Sequence, residues 1–396
     1  MTRSLILLMA TSASLAGVLW MTKETPNPAG AVATREGPLV EARSLEPLLE
    51  TVNAAKLAPY AAKMPSGRSP AGESPKPEGG VSQALTEWPR EVVLRGTPQV
   101  KSVSQDARSG QYVYQTDHFE FVCDTALGVD VVRHFARVFE ATHLLNCQLP
   151  LDLRPVPESL RKLYRTRIFS KDADYTAMRK APGGGGFYSA HDKSMYVPFS
   201  SLGVKMEGGR VVLDQSIESN SMLVHEITHQ MMNRWVSLLP LWLLEGSAEY
   251  VASADFAQGR FSLGRMEERL KQRLRDLGGQ RKGAAVRCNM LNVAELLMLN
   301  HKSWAAGMPT PAGHENYASA LLLTYYLYHL DRGGEGAGII AMLRAIENGM
   351  PHEEALRHCI MAGRQPSQLE QEISAAFAQV GVELKFTRRG GAAFQP

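Results

Sequence analysis

Apolar residues recur at three- and four-residue intervals along several stretches of the chain. Residues 131–145 carry Val131, Val132, Phe135, Val138, Phe139 and Leu144, and residues 221–235 carry Leu223, Ile227, Met231 and Trp235. Residues 314–328, 339–346 and 368–377 repeat the pattern, and this spacing predicts helices. Short β-type runs lie at 91–94, 118–122, 164–169 and 193–197, where β-branched and aromatic residues cluster. Turn signals stand at Asn348-Gly349 and Gly363. Strand, helix and strand followed by successive helices predict an α+β fold: a small N-terminal mixed sheet with helices, then a mostly helical half.

Ahead of this folded region, residues 23–90 turn rich in Pro, Gly, Ser and Ala, most strongly at 65–80. Such a stretch buries too little apolar surface to offset its chain entropy, which predicts a flexible tether with one short helical patch at 45–57. Residues 1–22 begin with Arg3 and continue with an uncharged apolar run before Lys23. That order predicts a signal peptide, with Ser14-Leu15-Ala16 as a cleavage site, or a membrane anchor. The expected location is therefore periplasmic, extracellular or membrane-anchored facing outside. The folded domain is expected over 91–387 and a frayed tail over 388–396.

With 396 residues there is enough chain for one large or two moderate domains. A net charge of +3 provides no concentrated basic footprint for nucleic acid. Four cysteines, Cys123, Cys147, Cys288 and Cys359, could form two disulfides in an exported chain or remain buried thiols. None has zinc-finger spacing.

The candidate chemistry centres on His225-Glu226-Ile-Thr-His229. On a helix, His225 and His229 lie one turn apart on one face, where both can bind one metal ion. The apolar stripe on the opposite side predicts one buried and one wet face. Next comes Pro240-Leu-Trp-Leu-Leu-Glu-Gly-Ser-Ala-Glu249, with proline at a helix start. A chain reversal between Trp235 and Pro240 would bring Glu245 back to the histidines as a third ligand. Two imidazoles and a carboxylate make a catalytic zinc set for one Zn²⁺ ion, which acidifies water and polarises a carbonyl. Glu226 would be the general base and Glu249 the acceptor that fixes the far nitrogen of a ligand histidine. Little of the second helix is polar, so buried carboxylates there call for partners.

His225-Glu-Ile-Thr-His229 together with Trp242-Leu-Leu-Glu-Gly-Ser-Ala-Glu-Tyr250 resembles the gluzincin metallopeptidases. The second block is similar to that of the aminopeptidase-N-like family, while the short spacing and small size resemble exported bacterial peptidase-MA-like domains. The resemblance implies His225, His229 and Glu245 as zinc ligands and Glu226 as base. It also implies an oxyanion donor at the start of the helix containing Tyr317, with Tyr317 as candidate and His314 in reserve; the alternative for Tyr317 is a core tyrosine. The aminopeptidase Gly-x-Met-Glu-Asn motif is missing upstream, which argues against aminopeptidase action.

Two further stretches yield structural expectations. Gly183–Gly186 reads as a mobile loop without the sequence of a phosphate loop, and 193–197 reads as an edge strand that could guide an extended substrate. Residues 265–275 form a basic amphipathic pattern expected on a solvated surface. The sequence thus predicts zinc-dependent hydrolysis of a peptide or protein substrate, without nucleic acid. The rivals are a non-catalytic zinc-stabilised interaction module and a zinc hydrolase of cell-wall amides.

Overall fold

Alternating burial explains how the sheet assembles. In a computed structural model, residues 87–106, 110–157, 162–179, 185–214, 220–278, 285–307 and 311–389 are described. The first strands are β1 (Glu91–Val93), β2 (Lys101–Asp106), β3 (Gln111–Gln115) and β4 (Phe119–Cys123). Helix α1 (Val129–Gln148) then leads to β5 (Tyr164–Phe169), α2 (Asp172–Arg179), β6 (Phe187–Ser189) and β7 (Ser194–Pro198). Six of these strands form one mixed sheet in the order β2-β3-β4-β5-β7-β6. β4, β5 and β7 are parallel, while the neighbours at both ends are antiparallel.

Parallel neighbours need a crossover, and α1 provides it between β4 and β5. The helix buries Val132, Phe135, Val138, Phe139 and Leu145. Phe139 meets Phe119 and Phe121 edge to face, with centroids 5.2 and 5.0 Å apart. Each such aromatic contributes about 2–3 kcal/mol through burial. A polar replacement at Phe139 would open this layer.

A hairpin, β8 (Val204–Glu207) and β9 (Arg210–Leu213), precedes α3 (Ser221–Met231) and α4 (Leu241–Ser253). The remaining order is β10 (Asp255–Ala257), β11 (Arg260–Ser262), α5 (Met266–Leu277), β12 (Val286–Leu291), α6 (Val293–Met298), α7 (His301–Gly307) and α8 (Pro311–His329). Last come α9 (Ala337–Glu347), α10 (His352–Ala355), α11 (Pro366–Gln379) and β13 (Val382–Thr387). The fold is therefore α+β, with a mixed sheet near the start and a largely helical second half.

Several expectations are corrected. Strand 193–197 is not an edge: β7 lies between β5 and β6, so β6 ends the sheet. Helix α3 is buried from Leu223 through Met231 rather than wet on one face, because α1, α4, β6 and β7 all pack around it. It also stops at Met231, and Trp235 is buried in the turn, donating to the Leu153 carbonyl at 2.9 Å. All four cysteines are free thiols, with Cys123 buried in β4 and Cys147 exposed. The tail is not frayed at Arg389, which binds the Asn316 side chain at 2.8 Å and the Ala312 carbonyl at 2.9 Å and pairs with Glu315. The expected leader at 1–22, the tether up to residue 86 and residues 390–396 lie outside the described residues. Among those described, no helix is long and apolar enough to cross a membrane.

Candidate metal centre

Helices α3 and α4 create the site by running in opposite directions. His225 and His229 sit one turn apart on α3, and Glu245 and Glu249 sit one turn apart on α4. Glu245 Oε2 lies 3.4 Å from the Nε2 atoms of both His225 and His229. Those two nitrogens are themselves 3.1 Å apart. Three donor atoms thus converge, and His225, His229 and Glu245 form a buried group that could hold a metal ion. Glu245 Oε2 is buried and faces two imidazole nitrogens without a contact of good hydrogen-bond geometry, so this carboxylate calls for positive charge beside it.

The close approach of α4 to α8 depends on Gly246. A Cβ there would lie 2.1 Å from Thr324 Oγ1 and 2.4 Å from the Ala320 carbonyl oxygen on α8. Nearby, Ser247 Oγ and the Tyr328 hydroxyl lie 2.8 Å apart, within hydrogen-bond distance. The Glu-Gly pair therefore serves both the site and the helix packing.

Glu249 faces the other nitrogen of His225, with Oε1 3.2 Å from Nδ1. Arg273, on α5, grips the same carboxylate through two hydrogen bonds. The basic helix expected to be a solvated surface element therefore buries Leu270 and Leu274 and turns Arg273 inward. Only charge imbalance in α4 hinted at such a partner.

Charge coupling is strong. Burial opposes a charged His225, but Glu245 and Glu249 outweigh it and raise its pKa to about 10. Burial would also raise Glu245, yet His229 and His225 hold it at about 2. Glu249 lies well below the ordinary carboxylate range because Arg273 and His225 overcome its burial. Three carboxylates near two imidazoles make a pocket that favours added positive charge.

Glu226 is 2% exposed. Burial raises its pKa, while His225 and His229 pull the other way. Gly186 approaches it with φ +155°, where a Cβ would press on Glu226 Cγ at 3.4 Å and the Tyr196 carbonyl oxygen at 3.3 Å. Gly185 and Gly186 thus lie close against α3, where Met222 and Glu226 face them. Arg179, buried on α2, also acts electrostatically on Glu226.

Tyr317 is buried on α8, with its ring 6.1 Å from that of His225 and 5.2 Å from that of Trp304. Burial raises its phenol pKa well above the usual value. His314 is exposed at the start of the same helix. His301, outside every motif in the sequence, begins α7 and interacts electrostatically with Glu245 and His229. Its charged form is disfavoured chiefly by desolvation. A lone histidine offered no sequence signal for this placement.

A protein family described as a protein of unknown function (DUF1570) matches residues 219–348. No curated protein matches the chain. The matched stretch contains both helices of the candidate centre together with Arg273, His301 and Tyr317.

Proposed function

We propose that the chain is an exported, zinc-dependent hydrolase of peptide bonds, of gluzincin type. The observation that carries this reading is the triangle formed by the His225, His229 and Glu245 donors, with sides of 3.1, 3.4 and 3.4 Å. Donors held about 2.0–2.1 Å from one tetrahedral ion stand about 3.3–3.4 Å apart, which this triangle fits. The unsatisfied Glu245 oxygen supports the same assignment. Two nitrogen donors and one carboxylate also suit catalytic zinc better than a hard oxygen-seeking ion.

Zinc, when bound, supplies Lewis acidity that acidifies water and polarises a carbonyl. His225, His229 and Glu245 would hold it. Glu226 accepts a proton from the attacking water as the oxygen adds to the carbonyl carbon, then delivers that proton to the amine nitrogen as the C–N bond breaks. Its buried position and raised pKa suit a group that must both take and return a proton. Glu249 orients His225 through Nδ1, and Arg273 keeps Glu249 ionised. Tyr317 provides a hydroxyl for the developing oxyanion.

The test is Glu226→Gln. The variant should fold and bind zinc like the native chain while losing turnover of an unstructured protein substrate by about 10²–10⁴-fold. Undiminished turnover would reject the mechanism.

A further inference from the structure

A second group of donor atoms lies on the other end of the sheet-facing helix α1, away from the histidines of α3 in sequence and in element. Glu140, His143 and Cys147 follow one another at three- and four-residue intervals, which places them within about 60° of arc on an α-helix. His118, just before β4, completes the cluster. His118, Glu140 and His143 each present a donor atom within 4.8 Å of the others. We propose that His118, Glu140, His143 and Cys147 form a second metal site, for a borderline divalent ion of the zinc class.

The geometry resembles a site held together by a proton in place of an ion. His118 Nδ1 is 2.6 Å from Glu140 Oε2, while the His118 backbone N–H donates to Glu140 Oε1 at 3.1 Å. The second bond anchors the carboxylate and leaves Oε2 pointing at the imidazole. An ion replacing the proton would spread the 2.6 Å pair to about 3.3 Å, the separation required by two bonds of about 2.0–2.1 Å. His118 can make this shift because its side chain is 46% exposed, whereas Glu140 is 5% exposed and fixed.

Cys147 Sγ lies 3.8 and 4.0 Å from the two ring nitrogens of His143. Sulfur and nitrogen ligands of one tetrahedral zinc stand about 3.6 Å apart, close to the Cys147–His143 separation, while His118 and Glu140 must be approached by rotation of the Cys147 side chain. The His143 ring can turn about its broad χ2 well to present either nitrogen. His118 and His143 stack with centroids 3.9 Å apart and planes at 24°, and an ion would draw this stack apart as the lone pairs converge. A cavity of about 220 Å³ borders all four residues and provides an entry path. Mixed nitrogen, oxygen and thiolate donors favour zinc-class ions over calcium or magnesium. This site does not depend on the hydrolase reading.

Cobalt separates the two sites because a thiolate ligand produces sulfur-to-cobalt charge transfer in the near ultraviolet, and the α3–α4 centre contains no sulfur. The full chain, reduced and stripped of metal, is titrated with Co²⁺ alone. The native chain should develop the near-ultraviolet band, and Cys147→Ser should abolish it and weaken uptake at this site by at least about tenfold. His143→Gln should weaken uptake similarly, while Cys288→Ser and Cys359→Ser keep the band. Cys147 is exposed and His143 half-buried, and unchanged circular dichroism verifies the fold of each variant. Absence of the band in the native chain, or its survival in Cys147→Ser, would overturn the site. If α3–α4 takes no metal, a band removed by Cys147→Ser still supports this proposal and counts only against the hydrolase.

Discussion

Arg273 closes on Glu249 with its guanidinium fork: Nε donates to Oε2 at 2.7 Å and Nη2 donates to Oε1 at 3.0 Å. Glu249 is 3% exposed at its side chain and faces His225. One ion pair therefore reaches the candidate metal ligand from outside the two helices that carry the ligands.

Arg273→Met should leave a buried carboxylate without its strongest partner. A stability loss of about 3–5 kcal/mol is expected, with metal affinity reduced about 10–100-fold. Denaturant unfolding and competition with a chelator measure the two effects. Unchanged affinity would show that His225 needs no support from this pair.

Gly246→Ala should be costly for a residue so small. The new methyl would collide with backbone at Ala320 as well as with Thr324, and forcing the helices apart should cost about 3 kcal/mol or more. The displacement would also move Glu245, so zinc uptake should weaken along with the unfolding midpoint. A variant as stable as the native chain would refute the close-packing account.

Tyr317→Phe keeps the ring against Trp304 and His225 and removes only the hydroxyl. If that hydroxyl serves the oxyanion, kcat should fall about 10²–10³-fold with little change in KM. Steady-state kinetics make the distinction: native kcat would leave Tyr317 as a packing residue.

The β6–β7 hairpin should weaken in acid through Asp192. The Tyr196 hydroxyl donates to Asp192 Oδ2 at 2.6 Å. Burial opposes ionisation of Asp192, but hydrogen bonds from Tyr196 and neighbouring serines hold its pKa below the usual 3.8. A depressed carboxylate stabilises fully above its unfolded value and loses that contribution as pH falls through the folded one. Asp192→Asn should therefore cost about 1–2 kcal/mol at pH 7, and progressively less as the pH falls below the ordinary carboxylate value of 3.8. A cost that does not change with acidification in denaturant titrations would contradict this clamp.

Local periodicity made much of the architecture legible. The 164–169 strand coincides with β5, and the other strands and helices read from the pattern fall within a few residues of their observed ends. His225 and His229 share a face because a helix repeats every 3.6 residues. Glu245 could also be anticipated, since a short reversal and a proline-led helix return the chain to the histidines.

The sequence by itself determined the α+β character, the helix bearing His225 and His229, and a nearby carboxylate to join them, because these follow from short-range spacing. Only tertiary structure decided that α3 is buried from Leu223 to Met231, that β6 rather than β7 ends the sheet, and that Arg273 turns inward. It likewise brought His301 toward Glu245 and placed His118 against Glu140, 22 residues away. The physical reason is that periodicity specifies which face a side chain occupies, whereas the partner across that face depends on how whole elements pack.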